Sequence, residues 1–339
     1  MDESTEHGFS RREFLAGTSM LGAATWLGLP RIAAAEPPPE VTKIRLVQNR
    51  AICMAPQYLA EELLRLEGFS QIEYAQQDSP NPNDEIVAGR ADLTMDGATA
   101  LVPALDGGRS IVVLAGVHGG CYEVFGNERV RAIRDFKGKS VAIWGLGAAD
   151  QVYIASMMAY VGMDPRKDVK WVATGTFDGP MQLFIDGKVD AFLGFPPQPQ
   201  QVRAKKIGHV IVNTAQDRPW SQHFCCMIAG NREFVRKHPV ATKRAVRAIL
   251  KAADICAQDP ERAARYMVKK GYEANYDIAL EVVKEVSYNA WRTFNPEDTL
   301  RFHALRLHEV GMIKSDPNNL IAQGTDWRFL NELKKELKA

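Results

Sequence analysis

The chain has 339 residues, 46% hydrophobic and 24% charged, with 42 basic against 41 acidic side chains. A near-neutral, mixed surface carries no electrostatic footprint for nucleic acid, so that class of partner is not expected. The length exceeds what one simple core organises and predicts two domains.

The first segment, residues 1–35, reads as an address. Gly8-Phe9-Ser10-Arg11-Arg12-Glu13-Phe14-Leu15 precedes a weakly hydrophobic run to about Leu29, then Arg31 and Ala33-Ala34-Ala35. This resembles a twin-arginine signal peptide, with Ala16 where lysine is usual. The resemblance implies export of an already folded protein, cleavage after Ala35 and a periplasmic location. The apolar run is short of the ~20 residues a spanning helix needs. Residues 36–41 follow as a polar linker stiffened by Pro37-Pro38-Pro39.

Next, short apolar runs alternate with helical periodicity. Strands are predicted at residues 44–48, 71–75, 91–95 and 111–116, with helices at 54–66, 84–89 and 98–105 between them. The rhythm restarts with strands at 140–144, 169–173, 190–195 and 209–212 and helices at 149–161, 181–185 and 198–204. The alternation predicts an α/β protein with two similar domains built on largely parallel sheets. From about residue 231 the pattern turns helical, with helices at 240–257, 260–270, 276–285, 296–310 and 326–337. This tail is expected to wrap back on the first domain.

Four segments carry a family resemblance: Ala55-Pro56-Gln57-Tyr58-Leu59-Ala60-Glu61, Ile86-Val87-Ala88-Gly89-Arg90-Ala91-Asp92, Asp135-Phe136-Lys137-Gly138-Lys139 and Asp186-Gly187-Lys188-Val189-Asp190-Ala191. Their order and spacing resemble the periplasmic substrate-binding proteins of ABC importers, in the nitrate, sulfonate, taurine and thiamine-pyrimidine group. Phe136 stands where that group usually has leucine. The resemblance implies a two-lobed type II periplasmic binding protein fold with a C-terminal helical extension on the first lobe. Lobe I would hold residues 42–120 and 222–339, and lobe II residues 121–221. Gly119-Gly120-Cys121-Tyr122 and Pro219-Trp220-Ser221-Gln222-His223 are the natural chain crossings, because glycines tolerate hinge torsions. The implied partners are a small-molecule solute and an ABC permease in the inner membrane; the protein is expected to be a monomer without cofactor and not an enzyme.

Ligand would lie at the carboxyl ends of the strands. That rule selects Arg50, Cys53, Gly97, Ala98, Thr99, His118, Cys121, Trp144, Gly145, Gly147, Ala148, Phe195, Pro196, His223 and Cys225 as candidate binding residues. Gly97 and residues 145–148 precede helices, where free N–H groups suit an anionic head; tight turns explain the same glycines. Arg50 can pair with an acid bidentately or make an ordinary salt bridge. Trp144 and Phe195 can stack on a flat solute or pack the lobes together. Gly145-x-Gly147 lacks the third glycine of a dinucleotide fingerprint.

Cys53, Cys121, Cys225 and Cys226 map to the cleft or hinge, with His118 and His223 nearby. Soft sulfur and imidazole suit copper or zinc, but small buried hydrophobes are the preferred reading of these cysteines, and no metal ligand is assigned. If Cys225 and Cys226 lie on a strand they alternate faces, so only one would face ligand. Two rivals to solute capture remain: an exported metal-binding protein, and a pyrimidine-synthesis-like enzyme on the same fold, which Phe224-Cys225-Cys226-Met227 faintly resembles.

Overall fold

The computed structural model describes residues 36–338. The chain divides into two compact units at Pro38/Pro39. Of the first unit only residues 36–38 are described, without regular structure, and the expected signal peptide lies outside the described residues. The second unit, from Pro39 onward, holds all the regular structure among the described residues. No helix among the described residues is long and apolar enough to cross a membrane.

The chain first lays down β1 (Lys43–Gln48), α1 (Ala55–Leu66), β2 (Gln71–Gln76), α2 (Asn83–Val87), β3 (Leu93–Gly97), α3 (Ala98–Asp106) and β4 (Ile111–His118). It then crosses to β5 (Glu123–Gly126), β6 (Ser140–Ile143), α4 (Ala149–Tyr160), β7 (Lys170–Ala173), α5 (Gly179–Ile185), β8 (Ala191–Gly194), α6 (Gln198–Lys205) and β9 (His209–Asn213). It returns through β10 (Cys226–Asn231). Two five-stranded sheets result, ordered β2-β1-β3-β10-β4 and β7-β6-β8-β5-β9. The orders are equivalent. In each sheet the fourth strand runs antiparallel to its neighbours and is the first strand the chain forms after crossing. The other four strands of each sheet run the same way, as the largely parallel expectation had it, and the one antiparallel strand, β10 or β5, is the strand the sequence pattern does not predict.

The apolar spacing of α1 buries Tyr58, Leu59 and Leu64. Its Gln57 donates to Val47 O at 2.7 Å and accepts from Met95 N at 2.8 Å. One side chain thus holds β1 and β3 where they pair only at Leu46 and Leu93.

The tail runs through α7 (Arg232–Lys237), α8 (Pro239–Gln258), α9 (Pro260–Lys269), α10 (Tyr276–Glu285), α11 (Ala290–Thr293), α12 (Pro296–Glu309), α13 (Pro317–Gly324) and α14 (Arg328–Glu336). Side chains of Asn231, Asp259, Asn275, Asn295 and Asp316 cap five of these helices, satisfying N–H groups the helix itself leaves free. Glu40, in the stretch read as a linker, accepts from Val240 N and Ala241 N at the start of α8. The tail packs α8 along α1 and covers the edge strand β4, which is buried along its whole length. It does not stay on the first lobe. α12 lies against α4, and α10 against α6, so the tail touches both lobes. The tail thus wraps back on the first domain, as expected, and in addition reaches the second.

Candidate functional site

The loops at the carboxyl ends of β1, β2 and β3 meet those of β6, β7 and β8 around a cavity of about 20 Å³. The first lobe contributes Asn49, Met54, Gln77, Pro80, Asp96 and Gly97, and the second Trp144, Ala149, Phe177 and Phe195, with Tyr122 from the crossing. The lobes already touch. Ile52 N–H donates to Pro196 O at 3.0 Å, and a Cβ on Gly97 would sit 2.9 Å from that of Ala149. The aromatic wall is ordered: Trp144 meets Phe177 edge-on at 5.4 Å, Phe177 stacks on Phe195 at 5.8 Å, and Tyr122 meets Phe195 edge-on at 4.9 Å.

Among the described residues, Asp96 is the only ionisable side chain of the cavity wall apart from the Tyr122 phenol. Burial pushes its carboxyl up to about 8, against the pull of a 2.6 Å bond from Gly97 N–H and one from Asn83. It is therefore mostly protonated at neutral pH and can both donate and accept. Asp150 holds the opposite turn by accepting from Trp144 N at 2.5 Å and Gln151 N at 2.8 Å. Burial raises it to about 7.

Beside the cavity, four side chains from separate segments converge. They are Cys53 in the turn after β1, His118 at the end of β4, Cys121 in the first crossing and Cys226 at the start of β10. One donor atom from each lies within 4.8 Å of all the others. Cys121 Sγ is also 3.0 Å from Cys225 Sγ, and all five cysteines are free. Burial opposes ionisation of Cys226, but sulfur contacts from Cys121, Cys225 and Cys53 bring its thiol well below the ordinary value. His118 Nδ1 lies 2.8 Å from Gly119 O, while the buried Nε2 has no partner.

Residues 67–263 match the family model described as NMT1/THI5 like. The chain belongs to the NMT1/THI5-like family. Among curated proteins it is similar to the bicarbonate-binding protein CmpA of Synechococcus elongatus, with 27% identity over 124 residues. That match spans 37% of this chain and about a quarter (27%) of the relative's length. Among solved structures, the periplasmic nitrate-binding protein NrtA from Synechocystis PCC 6803 superposes with a TM-score of 0.75 at 17% identity, covering 89% of this chain and 90% of that one. The alkanesulfonate-binding protein SsuA from Xanthomonas axonopodis pv. citri, bound to MOPS, gives 0.67 at 14% identity, covering 87% and 100%. The fold is the two-lobed periplasmic binding protein fold, as the sequence motifs implied.

Within this NMT1/THI5-like frame, the candidate residues separate. Gly97, Trp144 and Phe195 line the cavity. Thr99 Oγ1 reaches Ala149 O across the lobes at 3.5 Å. The helix-start amides are already engaged: Gly97 N–H with Asp96, Ala98 N–H with Cys225 O, Gly147 N–H with Gln151 and Ala148 N–H with Gly145 O. That removes most of the anion-binding capacity expected of those turns. A Cβ on Gly145 would lie 2.9 Å from the Pro80 ring, so this glycine gives the lobes room to meet. Arg50 is exposed and borders a different cavity, of about 340 Å³. Pro196 and Cys121 border a third, of about 160 Å³. His223 stacks on Phe302 at 4.3 Å and does not join the cysteine group. Both Cys225 and Cys226 turn their sulfurs toward Cys121, because Cys225 precedes the strand and escapes its alternation. Tyr122, in the first crossing, and Asp96, directly before Gly97, also line the cavity although the strand-end rule did not select them. Phe177 and Gln77 were missed, although the strand-end rule applied to β7 and β2 points to them.

Proposed function

We propose that this protein is the exported solute-binding component of an ABC importer. It captures a small, flat, neutral or weakly basic heteroaromatic solute between its lobes. The observation that carries this reading is the closed aromatic cavity, where Trp144, Phe177, Phe195 and Tyr122 face a buried, largely protonated Asp96. Aromatic walls favour a planar ring, and one donor–acceptor carboxyl with Asn49 and Gln77 favours ring heteroatoms. Among the described residues no Lys or Arg borders this cavity, so a bicarbonate, nitrate or sulfonate ion would lack the counter-charge that makes its burial favourable. Among the described residues no hydroxyl other than that of Tyr122, and no thiol, imidazole or amine, borders it; the role we propose is capture.

A drug-sized ligand needs a pocket of roughly 300 Å³ or more, so the lobes must part to admit one. Solute then selects the closed state. The remaining parts of the proposal are export by the twin-arginine route through residues 1–35, a monomer in the periplasm, delivery to an inner-membrane permease, lobe I as residues 42–120 and 222–339, and lobe II as residues 121–221.

Isothermal titration of aminopyrimidines and related heteroaromatics beside nitrate, bicarbonate and alkanesulfonates tests the reading. We expect binding only in the first set, with a change in Trp144 fluorescence that Trp144→Phe abolishes. Tight binding of an inorganic anion or a sulfonate, with none by any heteroaromatic, would overturn it.

A further inference from the structure

We infer that Cys53, His118, Cys121 and Cys226 form a resident site for a thiophilic d10 cation, zinc(II) in the first place, which ties both chain crossings to the first lobe.

The donor set is the first argument. Three sulfurs and one imidazole from four separate segments lie mutually within 4.8 Å. A tetrahedral zinc ion with Zn–S bonds of about 2.3 Å places its sulfurs roughly 3.8 Å apart. Contraction by about 1 Å, within the reach of side-chain rotation, therefore completes the tetrahedron. The set contains no carboxylate, which disfavours magnesium and calcium, while thiolate with imidazole suits zinc.

The second argument is independent of the sulfurs. His118 is fully buried, and its Nδ1 faces the Gly119 carbonyl at 2.8 Å. A carbonyl only accepts, so Nδ1 carries the proton and Nε2 carries the lone pair. That Nε2 is buried without a partner. An unsatisfied buried acceptor is costly, and a metal ion satisfies it. A ligating histidine whose other nitrogen donates to a backbone carbonyl is the orientation that metal sites use.

Location gives the role. Cys121 sits in the first crossing, and Cys226 begins the strand entered from the second. Cys53 and His118 belong to the turn after β1 and the end of β4. An ion bound by all four would fasten the pivot while leaving the aromatic cavity free. Four protein ligands leave no open position, which fits a structural ion and not a cargo or catalytic one. Uptake displaces the thiol protons to solvent.

The full chain, exported and purified under mild reduction, is assayed for metal and then titrated with Zn²⁺ and, as a spectroscopic probe, Co²⁺. We expect one equivalent of zinc per chain and, with Co²⁺, thiolate charge-transfer and tetrahedral d–d bands. Cys53→Ser, Cys226→Ser and His118→Gln should each weaken Co²⁺ binding by roughly a hundredfold or more, since even outer-shell losses cost up to that much. Cys256→Ser, at a buried cysteine outside the group, and Cys225→Ser should leave the bands intact. Should the variants fail to fold, zinc protection of Cys53, Cys121 and Cys226 from alkylation in the wild type gives the same answer. Two results would overturn the site: reduced wild-type protein that binds Co²⁺ no better than Cys53→Ser and shows no alkylation protection, or metal-free protein isolated with a Cys121–Cys225 disulfide.

Discussion

Gly120 shows how a single residue can be chosen for room. The sequence suggested that Gly119-Gly120 supplies hinge torsions, yet neither takes a positive φ. Instead a Cβ on Gly120 would lie 1.9 Å from the Thr214 carbonyl oxygen. The flanking pairing is tight, with Tyr122 N–H donating to Thr214 Oγ1 at 2.8 Å and Thr214 N–H to Tyr122 O at 2.9 Å. Backbone cannot rotate aside as a side chain can. Gly120→Ala should therefore cost about 3 kcal/mol or more, read as a fall in the urea midpoint; a change within about 0.5 kcal/mol would contradict the crossing geometry. At this scale the site was partly legible. Strand-end logic picked out Gly97, which lines the aromatic cavity, and Cys53, His118 and Cys121, which the fold draws together beside it, because topology alone positions strand ends. Arg50 and His223 lie outside both groups, because exposure and ring stacking are decided by neighbours distant in sequence.

At the scale of elements, long periodic helices and their Asn and Asp caps were readable, since both signals are local. The strands β5 and β10 were not. β5 has four residues, and β10 opens beside two cysteines and ends near a glycine, so neither shows alternation. Their pairing partners lie far off in sequence. The same distance hid the seam between α4 and α12. There His303 Nδ1 meets Ser156 Oγ at 2.9 Å, and the ring contacts Tyr153, Phe302 and His223. Burial lowers this imidazole from 6.5 to about 3, with His223 adding a smaller push. A histidine depressed on folding binds fewer protons folded than unfolded between those values. Its stability contribution is thus complete above about pH 6.5 and is lost as pH falls, at up to roughly 1.4 kcal/mol per pH unit. His223, also lowered by burial, acts in the same sense, while the raised Asp96 and Asp150 act oppositely. The informative quantity is the difference from His303→Gln. That variant should show a flatter loss of urea stability between pH 6.5 and 4.5, and equal slopes would remove His303 from the seam's energetics.

For the whole molecule, the question is what holds the lobes closed. The tail supplies an electrostatic latch. Arg203 of α6 pairs with Glu281 and Glu285 of α10, each at 2.7 Å, while its other nitrogen binds Glu123 of β5. Gln200 adds a 2.7 Å bond to Glu285. α10 itself rests on the Ile52–Met54 turn of the first lobe, so these contacts span the lobes. The glutamates are exposed, and such pairs contribute only about 0–1 kcal/mol each. Small energies suffice here, because 1.4 kcal/mol changes an opening equilibrium about tenfold. The best test spares Arg203, whose loss would leave Glu123 buried and unpaired. Glu281→Gln with Glu285→Gln should open the protein more readily and weaken solute binding roughly three- to tenfold. Wild-type affinity should fall with added salt as the pairs are screened, and the double variant should lose most of that dependence. X-ray scattering should show a larger radius of gyration for the solute-free variant than for wild type, with both converging on saturation. If affinity, salt dependence and radius are all unchanged, the helical tail covers the lobes without latching them, and closure depends on the aromatic cavity alone.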